Sequence, residues 1–350
     1  MKHYYPTYYQ DFRCIAADCP DSCCQGWDVV IDSDAEQFYN TVQGEFGEKL
    51  REAIITDADG DRVFRLAENK KCPFWGADRL CDIYRALGEE HLCATCARFP
   101  RITMDYTVFT EHTLALACPE AARLILTTDG AYADFYDIQA KNCEDYDAET
   151  MRLLLNVRKR AADILTQRIP LEERFERILR AAAEAQRAKT GVVFDPAGND
   201  PDVFEQLEYI DEKNRLLFVL AAEKQPDFSR YERELTNLSL YWLYRYLLGA
   251  INDGNIMAAM RFLTVSVGIV ANLAAESGDI IAAAQTYSKE IEQSYENIEE
   301  LGVRSFGHSL RLNKKHKTSC SSYRTARGCI LRKFAVVNRN QVRTESAIDS

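Results

Sequence analysis

The sequence predicts a mainly α protein, with a Cys-rich, loop-rich, metal-binding N-terminal region followed by an α-helical bundle. Ten of its twelve cysteines lie in the first 143 positions, and residues 144–319 hold none. From about residue 148, apolar residues recur at three- and four-residue steps, the period of helices packed on one face. These patterns divide the chain into a Cys-rich region at 1–145, a helical domain at 146–301 and a basic tail at 302–350. At 350 residues, 47% hydrophobic and 28% charged, the chain is a globular one, and fibrous or disordered classes are excluded.

The net charge of −11 argues against a dedicated nucleic-acid binder, which needs a surplus of Lys and Arg to replace the counterions on phosphate. Charge is also uneven: residues 301–350 carry eleven Lys/Arg against two acidic residues, so the first 300 residues carry −20. The start, Met1-Lys2-His3-Tyr4-Tyr5-Pro6, lacks an apolar run behind a positive cluster, so no secretory signal is expected and the chain is expected to stay in the cytoplasm. There thiols stay reduced, and cysteines gathered this way point to metal ligands or redox groups rather than disulfides.

The first thiol group reads Cys14-x4-Cys19-x3-Cys23-Cys24, then Gln25-Gly26-Trp27. Adjacent cysteines cannot easily bridge each other, because a disulfide needs Cα atoms farther apart than the ~3.8 Å of one peptide step. Asp18-Cys19-Pro20-Asp21-Ser22 supplies turn residues for a tight loop, on which thiolates can converge on one soft metal, zinc or iron–sulfur. The second group is Cys72-Pro73-Phe74-Trp75, Cys81, Cys93-Ala94-Thr95-Cys96 and Cys118-Pro119-Glu120, read as further loops of the same site. Free buried cysteines also act as small hydrophobes, and Cys93 and Cys143 are the two most readily assigned that role. The Cys-x3-Cys-x2-Cys loop of radical chemistry is not matched, because its third place falls on Gly26. Among five histidines, His91 beside Cys93 is the best offer of a Cys/His pair, a proximity more often accidental than catalytic.

Helices are expected at Ala148–Thr166, Leu171–Ala188, Val203–Glu223, Arg230–Ile251, Asn255–Ser277 and Gly278–Leu301. The window Ile256–Ala275 approaches the ~20 residues of a membrane span, but Arg261, Ser266 and Asn272 lie inside it, so a buried bundle helix without membrane insertion is expected. Tyr241-Trp242-Tyr244-Tyr246 suits core packing with hydroxyls at the rim, or a groove for a peptide or nucleoside. Glu172-Glu173, Glu290 with Glu292, and Glu296 with Glu299-Glu300 read as solvated helix faces, able to attract a lysine-rich partner. Neither Gly-x-Gly-x-x-Gly nor Gly-x4-Gly-Lys-Ser/Thr is present. The tail, with Cys320 and Cys329, reads as a poorly ordered extension, an out-of-frame segment, or an arm for an anionic partner.

Phe12-Arg13-Cys14, Cys19-Pro20-Asp21-Ser22-Cys23-Cys24-Gln25-Gly26-Trp27 with Ile31-Asp32, Cys72-Pro73-Phe74, Leu80-Cys81-Asp82-Ile83-Tyr84, Leu87-Gly88-Glu89, Cys96-Ala97-Arg98-Phe99-Pro100-Arg101 and Cys118-Pro119-Glu120-Ala121-Ala122 together resemble the flagellin lysine-N-methylase family. The likeness covers roughly the first 125 residues in motifs and continues loosely to Tyr287-Ser288-Lys289-Glu290-Ile291-Glu292. Cys93 stands where a small polar residue is expected, and the segment after Leu301 does not resemble the family.

The resemblance implies an S-adenosylmethionine-dependent protein-lysine N-methyltransferase acting on surface lysines of flagellin, with a Cys-bound iron–sulfur (4Fe-4S) centre. It places the family's cysteines on Cys14, Cys19, Cys23, Cys24, Cys72, Cys81, Cys96 and Cys118. Eight thiolates suit two clusters, or one cluster plus a tetrahedral zinc site. Arg101 could pair with a cofactor carboxylate through its planar fork, or fix the loop that carries Cys96. Transfer to an amine must first remove a proton from a group with a free pKa of ~10.4, and the sequence singles out no base for this. The competing readings are a non-catalytic zinc- or iron-binding protein and a structural zinc module.

Overall fold

In the computed structural model, the buried apolar side chains sort into two cores of unequal size. The structure describes residues 1–68, 70–191 and 202–304; the basic segment from 305 onward, with Cys320 and Cys329, lies outside the described residues. The chain is mainly α. The N-terminal part runs β1 (Lys2–Tyr4), α1 (Ser33–Thr41), α2 (Gly44–Ala53), β2 (Ile54–Thr56), β3 (Arg62–Phe64), α3 (Asp82–Leu87), α4 (Ala94–Arg98), β4 (Arg101–Asp105), β5 (Phe109–Leu114) and α5 (Pro119–Thr127). The helical part runs α6 (Ala148–Leu165), α7 (Leu171–Thr190), α8 (Val203–Gln206), α9 (Lys213–Ala222), α10 (Glu232–Tyr246), α11 (Ala250–Asp253), α12 (Ile256–Ser277), α13 (Ile280–Tyr287), a π-helical turn at Ser288–Glu292, and α14 (Tyr295–Arg304).

The smaller core gathers Val29, Ile31, Tyr39, Leu50, Phe64, Phe74 and Ile83 with Cys72 and Cys93. A two-stranded ribbon, β2 antiparallel to β3 with Ile54 opposite Phe64, lies at its edge. The larger core takes in Tyr4, Tyr8, Phe12, Phe109 and Cys118 together with the helices from α5 onward. Its sheet has the order β1-β5-β4, β1 parallel and β4 antiparallel to β5. Residues 1–145, read from sequence as one Cys-rich region, thus contribute to both cores.

By length and composition α12 passes as a membrane span, yet in the fold it is packed by α7, α9, α10, α13 and α14. Its interior polar groups are engaged rather than facing lipid. Ser266 Oγ meets the Tyr287 hydroxyl at 2.6 Å, and Asn272 Nδ2 donates to the carbonyls of Ala221 (2.8 Å) and Lys224 (3.0 Å). Tyr241, Trp242 and Tyr244 are buried core residues, which settles the aromatic stripe in favour of packing.

Three expected helices are broken, and each break has a local cause. The helix expected at 203–223 becomes α8 and α9, because the segment between them gives its backbone N–H groups to Glu290: Ile210 N lies 2.6 Å from Oε2, and Asp211 N lies 3.3 Å from it. The helix expected at 230–251 passes through a 3₁₀ turn at Leu247–Gly249 before α11. The helix expected from Gly278 starts later, since Gly278 ends α12 in the left-handed conformation (φ 76°) and the Asp279 carboxylate caps α13. Glu290 and Glu292 are therefore not a solvated face. Glu290 is 4% exposed, and burial pushes the Glu292 carboxyl up while Tyr246 donates to it at 2.6 Å.

An ion pair with no sequence signal crosses the large core. Glu111 on β5 and Arg158 on α6 are 0% and 2% exposed, with Nη2–Oε1 at 2.8 Å and Nη1–Oε2 at 3.0 Å. The guanidinium lies over the Tyr244 ring at 4.7 Å. Removing one partner leaves an uncompensated buried charge, so Arg158→Met is expected to cost about 3–5 kcal/mol in urea unfolding, while the double change Glu111→Leu, Arg158→Met recovers most of it.

On the neighbouring strand position His112 stacks on Tyr5 at 4.2 Å and meets His3 at 2.9 Å. Burial, and then the His3 charge, lowers its pKa from 6.5 to about 4. Between these values the unfolded chain binds a proton that the folded chain does not, so stability is full above pH 6.5 and falls as pH drops toward 4. His112→Gln is expected to flatten Tm against pH in this window.

Candidate functional site

The first thiol loop is shaped by its own polar residues. Cys14 accepts from Ala16 N at 3.4 Å, a 3₁₀ turn covers Ala16–Asp18, and Ser22 Oγ accepts from Cys24 N at 3.0 Å. The chain then pairs with the second thiol segment: Cys72 N donates to the Cys24 carbonyl at 2.8 Å, and Gly26 N to the Lys70 carbonyl at 3.0 Å. Gly26 must be glycine here. Its φ is +111°, and a Cβ would stand 3.0 Å from Ile210 Cγ2 and 3.3 Å from Lys289 Cε.

Asp32 binds the Cys93–Cys96 turn to the same loop system. One oxygen caps α1 through Ala35 N at 3.1 Å, and the other accepts from Ala94 N at 2.6 Å. Thr95 Oγ1 donates to the Val30 carbonyl at 2.7 Å, and the Tyr39 hydroxyl to the His91 carbonyl at 2.9 Å. Trp75 and Cys81 form a β-bridge that presents Cys81 beside Cys72.

The result is a nest of thiols within electrostatic reach of one another. Burial raises Cys19, which also feels the charges of Cys14 and Cys23. Cys23 is raised first by a hydrogen bond with Cys24. Burial pushes Cys72 up to about 11, with Cys81, Cys93 and Cys23 adding to it, and pushes Cys118 up to about 12, with Cys19 and Cys23 adding. Cys81 is raised by burial as well. The hydrogen bond between Cys93 and Cys96 lowers Cys93 and raises Cys96.

All eight of Cys14, Cys19, Cys23, Cys24, Cys72, Cys81, Cys96 and Cys118 belong to this nest, and so does Cys93, which sequence reasoning set apart as a small hydrophobe. Its 1% exposure suits that role, while its hydrogen bond to Cys96 is a thiol's contact. Cys143 has a different setting, its thiol 3.9 Å from the Tyr146 carbonyl. Arg101 is exposed on β4 with its guanidinium 5.3 Å over the Phe12 ring.

The chemistry of the donor set fits a metal held by sulfur. Backbone N–H groups face six of the sulfurs and favour their ionised form: Asp21 at Cys19, Cys23's own at Cys23, Phe74 at Cys72, Ile83 and Tyr84 at Cys81, Thr95 and Cys96 at Cys93, Glu120 and Ala121 at Cys118. The thiols are gathered but not closed. Among the described residues no three His, Cys, Asp or Glu side chains form a group that could hold a metal ion as they stand.

Residues from the helical half complete the surroundings, and spacing alone did not reveal them. Asp21 Oδ2 accepts from Gln285 Nε2 at 2.8 Å and from Lys289 Nζ at 2.6 Å. The Lys289 ammonium also lies over the Trp27 ring at 5.2 Å. Lys289 had one sequence signal, the likeness of Tyr287–Glu292 to the resembled family, and Gln285 had none.

Known proteins place this architecture. The C-terminal domain of the FliB lysine N-methylases matches residues 128–303, half of the chain. The chain belongs to the FliB family. Over 141 residues it is 30% identical to the flagellar biosynthetic protein FliU of Salmonella muenchen, a match covering 37% of this chain and 79% of FliU. Two proteins named lysine-N-methylase, from Salmonella choleraesuis and Salmonella typhimurium, are 30% identical over 141 residues. The chain spans about a third of the length of these two, the match covering 33% of each. No solved structure matches. The matched FliB domain begins after Cys118 and includes Gln285 and Lys289, so the thiol nest lies mostly ahead of it and is touched by it.

With Cys72 at about 11 and Cys118 at about 12, both are protonated at neutral pH in the metal-free chain. Each thiol that binds a metal must release its proton, so affinity is expected to rise with pH. Adding zinc to metal-free protein in a pH-stat at pH 7 should release one proton for each of these thiols that becomes a ligand.

Proposed function

We propose that the chain is a protein-lysine N-methyltransferase that moves a methyl group from S-adenosylmethionine to the ε-amine of lysines on flagellin. The reading rests on one observation, membership of the FliB lysine N-methylase family with relatives named lysine-N-methylase and flagellar biosynthetic protein. The thiol nest supports a sulfur-held metal as part of the machinery, and an iron–sulfur centre is the form proposed here, with zinc as the alternative.

In the transfer, the methyl carbon's bond to the sulfonium sulfur breaks, its bond to the lysine nitrogen forms, and one ammonium proton leaves. Bound, an iron–sulfur centre would supply Lewis-acidic iron beside the transfer. The chain's own residues do the holding. Cys14, Cys19, Cys23, Cys24, Cys72, Cys81, Cys96 and Cys118 are the proposed ligands, and backbone amides favour the thiolates of Cys19, Cys72, Cys81 and Cys118. Trp27, two residues after the Cys23–Cys24–Gln25 run, packs on Phe99 at 5.7 Å between ring centres and lies under the Lys289 ammonium. The −20 charge of the first 300 residues favours approach of a lysine-bearing surface.

The test is anaerobic purification with iron, sulfide and zinc analysis, an absorption spectrum with and without S-adenosylmethionine, and mass spectrometry of flagellin incubated with both. Iron and sulfide in near-equal amounts, a spectrum that responds to the cofactor, and flagellin peptides 14 mass units heavier at lysine are expected, from the ~14 Da of a methyl replacing hydrogen. Zinc alone, an unresponsive spectrum and unmodified flagellin would overturn the reading in favour of a metal-binding protein.

A further inference from the structure

We infer that Gln285 and Lys289, on the helical half, are positioning residues that hold the thiol loops in register for metal binding. Two Cys-bearing segments meet this short stretch directly, and a third reaches it through Ile210. Asp21, between Cys19 and Cys23, spends one carboxylate oxygen on both Gln285 and Lys289. Gln285 also donates to the carbonyl of Ala117 at 3.0 Å, the residue before Cys118. Lys70, two residues before Cys72, donates to the Ile210 carbonyl at 2.5 Å, and Ile210 is held in turn by Glu290.

Helix geometry explains the convergence. Residues four apart share a face, so Gln285 and Lys289 both address Asp21. The π turn that begins at Ser288 then sends Glu290 to the 210–214 segment, and single π turns of this kind recur at functional sites. This is not an ordinary surface pair: the Lys289 side chain is 13% exposed, and its ammonium is shared with an aromatic face. Thiolates that gather on a metal add negative charge next to Asp21. Lys289 is the cation in contact with that carboxylate, and it opposes the charge as the loop closes.

The test compares the full chain with Lys289→Met, Gln285→Leu and Lys289→Arg. Two quantities are followed: release of the metal present on purification into a chelator, and deuterium uptake of the peptides spanning 14–28 and 115–119. Lys289→Met and Gln285→Leu should speed metal release on the order of tenfold, as loss of a group supporting metal ligands does. They should raise uptake in those two peptides alone, and Lys289→Arg, which keeps the charge, should restore both. Wild-type release and uptake in Lys289→Met would overturn the inference, as would an increase in uptake spread evenly over the whole chain. Deuterium uptake needs neither a particular metal nor methyl transfer, so this outcome is independent of the proposed function.

Discussion

A carboxylate taken out of water costs several kcal/mol unless its lone pairs are used, and Glu290 sets much of this architecture by meeting that demand. Its oxygens take the N–H groups of Ile210 and Asp211 and the side-chain amide of Asn214. The backbone that donates them cannot also make a helix, so α8 and α9 stay separate. Asn297 reinforces the break by exchanging hydrogen bonds with both backbone groups of Glu208. The segment so held offers Ile210 to two neighbours at once, its carbonyl to Lys70 and its side chain to Gly26. In this way a buried charge in the helical half dictates where the Cys-rich loops can rest.

The smaller core shows why those loops need such support. It rests on few large apolar side chains, and two of its buried members are cysteines. A core of this size gains limited stability from burial alone, and small domains of this kind are commonly completed by metal or disulfide cross-links. Free thiols raised toward 11 and 12 are neutral and contribute as small hydrophobes. Ionised and bound, they would tie together loops separated by many residues, where closing long loops stabilises most. Ligation of these thiols by a metal would therefore be coupled to folding of this region.

The larger core follows a different rule. It is aromatic and aliphatic, with Tyr132 stacked on Tyr244 at 4.2 Å, and it tolerates one fully buried ion pair between Glu111 and Arg158. Such a pair adds little net stability compared with apolar residues, but it fixes β5 against α6 because neither charge has another partner of comparable quality nearby. The sheet that carries Glu111 also carries the strand leading to Cys118, so packing in the large core sets the position of one thiol of the nest.

Residue identity and spacing were enough to establish the mainly α class and the helices from Ala148 onward. That signal is local, since helix periodicity is written every three or four residues, whereas the thiol segments at 14–24, 72–81, 93–96 and 118 meet only when the chain folds. The expected helix from Gly278 began too early, because the left-handed Gly278 and the Asp279 cap became evident only in the fold. What spacing could not convey was pairing across the chain. Asp21 with Lys289, Glu290 with Ile210, and Glu111 with Arg158 are joined only when distant segments pack, and their side chains look like ordinary surface charges in a linear reading. Cys93 shows the same limit: its neighbours in sequence suit a small hydrophobe, and only the fold turns it toward Cys96. Short-range pattern thus determined which elements and thiols exist, while burial of charge, which depends on every surrounding segment, decided how they are held together.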